Sequence, residues 1–159
     1  MEPKVVIFFV HVFWVLINLG CSGKISEKWA DKHIVPYTPV YTQIDLRIGG
    51  ESHLQVPGQP IYLKNSQPDG TPLGYNGHGI IVIRLNDTEF SCWDATCTNC
   101  QDLTSYMTSR DLSGEIATCP ICGKEFSLRY GSALNATEKI YPLKSYPILK
   151  QGNRLIVRY

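Results

Sequence analysis

The sequence predicts an all-β single domain with a metal-binding site at the tip of two loops. Three observations lead there. Valine, isoleucine, threonine and tyrosine recur in short runs broken by turn residues, with ten prolines and thirteen glycines in 159 residues, a composition that suits short strands joined by turns. No long segment has helical period; Leu103 to Arg110 has room for a helical turn or two. The third observation is Cys97-Thr98-Asn99-Cys100 and Cys119-Pro120-Ile121-Cys122, two C-x-x-C pairs with eighteen residues between them. Two residues between thiols let both sulfurs face one centre from a tight loop, and a second such loop completes a tetrahedron of thiolates.

Taken in order, residues 1–20 read as a signal peptide. Lys4 supplies the positive start, and Val5 to Leu19 is an apolar stretch of about fifteen residues that contains His11, short for a membrane span. The ending Leu19-Gly20-Cys21 resembles a bacterial lipobox, in which a small residue precedes a cysteine that becomes lipidated and N-terminal; Asn18 stands where leucine is usual. Ordinary cleavage after Gly20 would instead leave Cys21 a thiol. A lipid on Cys21 would anchor the protein to a membrane, each buried CH₂ adding roughly 0.8 kcal/mol. Residues 21–35 are then a lipidated N-terminus and polar tether, and residues 36–159 the folded domain, with its metal-binding loops in residues 95–126.

From Pro36 the pattern alternates, so that Val40, Thr42, Ile44 and Leu46 share one strand face. Pro57-Gly58-Gln59-Pro60 breaks the chain before a short strand at Ile61-Tyr62-Leu63. After the turn-rich stretch Asn65 to His78, Gly79 to Leu85 is nearly all apolar and reads as a strand buried on both faces. Asn86-Asp87 turns it back into Glu89 to Trp93, which leads to the first cysteine pair. Leu112 to Thr118 is expected as one strand delivering Cys119, and Glu125 to Leu128 leaves Cys122. Tyr130-Gly131-Ser132 makes a turn. Ile148-Leu149-Lys150 and Arg154 to Val157, joined by Gln151-Gly152-Asn153, form a hairpin.

The cysteine loops carry the chemistry. Gly123 follows the second pair and can take positive φ at low cost, turning backbone N–H groups toward the sulfurs. The first pair has Gln101 there instead. Four arrangements fit Cys97, Cys100, Cys119 and Cys122: one zinc or one rubredoxin-like iron, an all-cysteine [2Fe–2S] cluster, disulfides, or an empty site. Cys92-x₄-Cys97-x₂-Cys100 also has the spacing of plant-type ferredoxins, but Cys92 lies between Ser91 and Trp93 in a strand pattern and reads as core. His78, in Asn76-Gly77-His78-Gly79, reads as a turn histidine; His33 and His53 receive no functional role. Trp93, Phe126 and Tyr130 read as core or as an apolar wall around the site. Asn86-Asp87-Thr88 and Asn135-Ala136-Thr137 match a glycosylation sequon that arises often by chance.

From Gly79 to Val157 the order of features resembles a Rieske domain. There, a strand leads to a Cys-x-His loop, and a Cys-Pro-x-His-Gly loop then runs into a phenylalanine strand, a glycine turn and a late Pro-Leu segment. The second half here reads Cys119-Pro120-Ile121-Cys122-Gly123-Lys124-Glu125-Phe126, then Tyr130-Gly131, Pro142-Leu143 and Leu155-Ile156-Val157. The resemblance is to the small Rieske-like lipoproteins of bacterial envelopes. It implies a Rieske-like antiparallel β-sandwich whose tip is like that of a rubredoxin or zinc ribbon. Both cluster histidines are replaced: Cys122 stands at one position, and the first loop is Cys97-x-x-Cys100. All four histidines of the chain precede the two C-x-x-C pairs, so these loops alone cannot build a centre with two histidines on one iron.

A formal net charge of +1 and the lack of a long basic run argue against nucleic acid as the partner. No Ser-His-Asp set, open-coordination metal motif or phosphate-cradling glycine loop suggests substrate chemistry. The chain is expected not to be an enzyme by itself, but an electron-transfer component with a redox protein partner, held on the periplasmic or outer-membrane face of the cell envelope. A non-catalytic envelope protein with a structural zinc is the alternative, and a thiol–disulfide redox protein the weaker one, since neither pair opens a helix that would lower a thiol pKa.

Overall fold

The computed structural model describes residues 34–66, 69–137 and 140–159. The expected signal peptide, Cys21, His33 and most of the tether lie outside the described residues. In chain order the strands are β1 (Tyr41–Asp45), β2 (Pro60–Leu63), β3 (Ile80–Arg84), β4 (Phe90–Asp94), β5 (Leu112–Ser113), β6 (Ile116–Thr118), β7 (Glu125–Ser127), β8 (Ile148–Gln151) and β9 (Arg154–Arg158). They form three antiparallel three-stranded sheets, ordered β1-β9-β8, β2-β3-β4 and β5-β6-β7. Among the described residues there are short 3₁₀ turns, no α-helix, and no helix long and apolar enough to cross a membrane.

β3 organises the core. Ile80, Ile81, Val82 and Ile83 are each 0% exposed. Ile80 and Val82 pack with Val40, just before β1, and with Ile44, Leu155 and Val157 of the β1-β9-β8 sheet. Ile81 and Ile83 face the opposite way, into a second core with Trp93, Phe126 and Leu128. The period-two alternation of a strand sends successive side chains to opposite faces, so a run without polar residues requires a layer on each side. Each fully buried aliphatic side chain contributes roughly 1.5–3 kcal/mol.

The other strands follow the same logic. Val40, Thr42, Ile44 and Leu46 are all buried, while Tyr41 is exposed. β1 pairs with β9 from Tyr41↔Arg158 to Asp45↔Arg154, so the first and last strands lie side by side. Gln151 pairs with Arg154, leaving Gly152-Asn153 as the two-residue hairpin turn. Leu112 to Thr118 is not one strand. It is the β5-β6 hairpin, with Ser113 opposite Ile116 and Gly114 left-handed at the turn (φ 55°). The carboxylate of Glu115 at this turn meets Arg129 at 2.6 Å, and its carbonyl accepts from the Leu128 N–H at 2.8 Å.

Trp93 joins the two halves of the site-bearing core. Its Nε1–H donates to the Leu128 carbonyl at 2.7 Å. Gly131 lies so close to the ring that an added Cβ would come within 2.4 Å of it; only glycine fits there. Tyr130 departs from the sequence expectation: it is 72% exposed, because the turn that presses Gly131 onto Trp93 sends its neighbour's side chain outward.

Candidate metal centre

The first loop is rooted at the end of β4. Asp94 is fully buried, and its carboxylate accepts from the Thr96 N–H at 2.9 Å, the Tyr75 N–H at 2.7 Å and the Tyr146 O–H at 2.6 Å. Three separate segments therefore meet on one side chain just before Cys97. The loop then closes on itself: the Cys97 N–H donates to the Ser105 carbonyl at 2.8 Å, and the Met107 N–H to the Ala95 carbonyl at 2.9 Å. Between them Asp102 (φ 58°) and Leu103 (φ 53°) are both left-handed. Such a conformation costs about 1–2 kcal/mol per non-glycine residue. Burial of the Leu103 side chain helps to hold it.

The second loop turns more cheaply. Gly123 takes φ 68°, its N–H donates to the Cys119 carbonyl at 2.9 Å, and the Cys119 N–H donates to the Lys124 carbonyl at 2.8 Å. The first loop has no glycine after Cys100, and its reversal comes later, at Asp102 and Leu103.

Together the loops bring the four sulfurs within 4.8 Å of one another. Two contacts cross between loops: Cys97 Sγ to Cys122 Sγ at 3.7 Å and Cys100 Sγ to Cys119 Sγ at 3.6 Å. Four thiolates around one ion, with metal–sulfur bonds of about 2.3 Å, place their sulfurs about 3.8 Å apart. The four cysteines can thus hold a metal ion. Cys97, Cys100 and Cys119 are buried and Cys122 is exposed.

Polar groups surround the sulfurs unevenly. Ser105 Oγ lies 3.2 Å from Cys119 Sγ. Burial pushes the Cys97 thiol up, against an N–H bond from Asn99. Burial also raises Cys100, to about 11, with hydrogen bonding to Cys119 and Cys122 adding to it. Burial acts the same way on Cys122, but the Asn99 side chain and the Lys124 N–H outweigh it and bring that thiol down to about 7. A bound cation reverses the cost at the buried positions, because a coordinating thiol is deprotonated outright.

The remaining candidates fall outside this set. His78 Nδ1 lies 2.9 Å from Thr96 Oγ1, and its ring stacks on Tyr106 at 4.6 Å and 16°. It braces the first loop from outside and is not among the grouped ligands. Burial lowers its pKa, with Asp94 opposing. Cys92 belongs to the core between β3 and the β1-β9-β8 sheet, whereas Cys97, Cys100 and Cys119 belong to the other. The ferredoxin spacing therefore adds no further cysteine to the site. Cys92→Ala is expected to leave metal content unchanged and to cost about 1 kcal/mol for the small cavity; metal analysis and thermal unfolding of the variant check both.

Sequence reading missed Asp94, Asn99 and Ser105. Asn99 sits inside a C-x-x-C pair and was within reach. Of the Asp94 partners only Thr96 is local; Tyr75 and Tyr146, 19 and 52 residues away, leave no mark in the neighbouring sequence.

No family model matches this chain, and no curated protein does. Among solved structures, it is similar to a chain from the complex of reduced oxygenase and oxidized ferredoxin in carbazole 1,9a-dioxygenase, at 18% identity and TM-score 0.49, covering 76% of this chain and 94% of that one. It is also similar to the cyanobacterial plasma membrane Rieske protein PetC3 from Synechocystis PCC 6803, at 22% identity and TM-score 0.43, covering 77% and 100%. A third is the Sphingomonas yanoikuyae B1 ferredoxin, at 22% identity and TM-score 0.43, covering 65% and 88%. At these values the likeness says nothing of the site or its chemistry.

Proposed function

We propose that the chain is an electron-transfer protein in which Cys97, Cys100, Cys119 and Cys122 hold one iron ion. The observation that carries this reading is the compactness of the sulfur set, all within 4.8 Å, with one ligand, Cys122, at the surface. In a [2Fe–2S] cluster, sulfurs on different irons are separated by the iron–iron vector plus the outward reach of both Fe–S bonds, which asks for a longer set. A single iron supplies a one-electron couple when bound. The protein's part is to hold the four thiolates in place before and after the electron moves, through the closed first loop and the Gly123 turn. Hydrogen bonds to the sulfurs tune such a couple, and Asn99, Ser105 and Lys124 are placed to supply them.

The rim supports a redox protein as partner. Ile121 is 77% exposed and directly precedes the exposed ligand, an apolar contact point where an electron can leave. The resemblance of the second loop to a Rieske cluster loop agrees with a redox role. The closed four-thiolate set equally suits a structural zinc, which is the second reading.

Metal and acid-labile sulfide analysis of anaerobically purified protein, followed by voltammetry, separates the readings. One iron per chain, no labile sulfide and a reversible one-electron wave are expected. With no imidazole ligand, the potential should stay flat from mildly acidic to alkaline pH. A colourless, redox-silent protein with one zinc would favour the structural role instead. Labile sulfide matched by two irons would restore the cluster, with a potential of about −400 mV for an all-cysteine [2Fe–2S] centre.

Export and lipidation at Cys21, on the membrane-anchored face of the envelope, complete the proposal. Cys21→Ser should shift the protein to the soluble envelope fraction and abolish fatty-acid labelling; unchanged membrane association without label would point to another anchor.

A further inference from the structure

We infer that the centre is opened by small disulfides, which enter at Cys122 and leave a Cys97–Cys122 disulfide in place of the metal. This rests on the reading of the four cysteines as a metal site, and extends it to a modification site with a direction of attack. Access differs sharply among the ligands. Cys122 is exposed and the other three are buried. Its neighbours Pro120, Ile121 and Gly123 are exposed as well, and beyond the adjoining residues no atom lies within 4 Å of where a Cβ on Gly123 would stand. A small molecule can approach Cys122 Sγ from solvent, whereas Cys97, Cys100 and Cys119 are shielded by the core they belong to.

Behind Cys122 stands a second thiol. Cys97 Sγ lies 3.7 Å away, in the other loop, and a disulfide needs that gap to close to about 2.0 Å. Cys100 and Cys119 also lie within 4.8 Å of it, but they are buried, meet each other across the loops at 3.6 Å, and Cys119 also contacts Ser105. Exchange proceeds by thiolate attack through a mixed disulfide. The Cys122 thiolate attacks one sulfur of the small disulfide; a new S–S bond forms, the old one breaks, and one small thiolate leaves. The Cys97 thiolate then attacks the Cys122 sulfur and expels the second small thiolate. Two electrons pass from the two cysteines to the disulfide, and the metal leaves without changing its oxidation state, because Cys100 and Cys119 alone cannot keep it four-coordinate. A dithiol reductant reverses the exchange and reopens the site.

The test uses the full chain as purified with its metal, kept without oxygen. Metal is quantified first; glutathione disulfide is then added, a chelating dye reads release, and peptide mass mapping follows the cysteines over time. The expected course is an early glutathione adduct on Cys122, then a Cys97–Cys122 disulfide, with one metal ion released per disulfide formed. Cys97→Ser should halt at the mixed disulfide; if that variant does not fold, the time course on the unaltered chain decides alone. A first adduct on Cys100 or Cys119, a disulfide within either C-x-x-C pair, or metal release without loss of thiols would overturn the inference. A preparation that holds no metal at the outset defeats the metal reading instead, and the order of adducts is still read on it.

Discussion

Cys119→Ser should abolish stoichiometric metal binding and destabilise the β5-β6-β7 end of the molecule. Its sulfur is buried and shares contacts with Cys100 at 3.6 Å and Ser105 at 3.2 Å. A serine hydroxyl is shorter and poorly suited to a soft thiolate site, so the remaining three sulfurs would face an ion with an open position inside the core. Changing an outer hydrogen-bond partner alone typically costs 10–100-fold in metal affinity, and loss of a ligand should exceed about a hundredfold. Because metal binding to such sites is coupled to folding, with apparent values of about 10–16 kcal/mol for structural zinc, the thermal midpoint should fall as well. Cys122→Ser should lose metal equally but destabilise the metal-free protein less, since its side chain is at the surface. Metal analysis with thermal unfolding of both variants checks this, and full stoichiometry in either would sink the four-thiolate site.

Asp94→Ala should be the most destabilising change outside the cysteines. It would strand the Thr96 and Tyr75 N–H groups and the Tyr146 hydroxyl, all donors to this carboxylate. An unsatisfied buried polar group costs about 1–3 kcal/mol, and neighbours in one network do not add independently; a loss of about 3–5 kcal/mol is expected. Asp94→Asn keeps the volume and one acceptor but turns an N–H₂ toward a donor, so its loss should be smaller. Urea unfolding measures both. The Ala variant should also bind metal more weakly, because Thr96 is the root of the loop that carries Cys97 and Cys100. A cost below about 1 kcal/mol would mean that the three segments are held by packing alone.

Much of the architecture was legible because its signals are local. The alternation at Val40, Thr42, Ile44 and Leu46, the apolar run of β3 and the Gly152-Asn153 turn each state a period or a backbone angle within a few residues. The β5-β6 hairpin was missed for the opposite reason: its strands are two and three residues long, too short for a period, and only pairing with β7 and the Glu115–Arg129 contact distinguish it from one strand. Tyr130 read as wall because its side chain is aromatic, while its exposure follows from Gly131 seating against Trp93.

Residue type and spacing sufficed for the class of strands, the grouping of the four cysteines and the glycine turn after Cys122. The face that each cysteine occupies came only with the packing of the layers. Cys92, five residues before Cys97, lies in the opposite core, because strand parity directs it to the side of β3 that meets β1 and β9. Packing likewise left Cys122 exposed and buried the other three cysteines of the group, and the meeting of distant segments made Asp94 the anchor of the first loop. Face, burial and partnership depend on which layers come together, and no short stretch of chain contains that information.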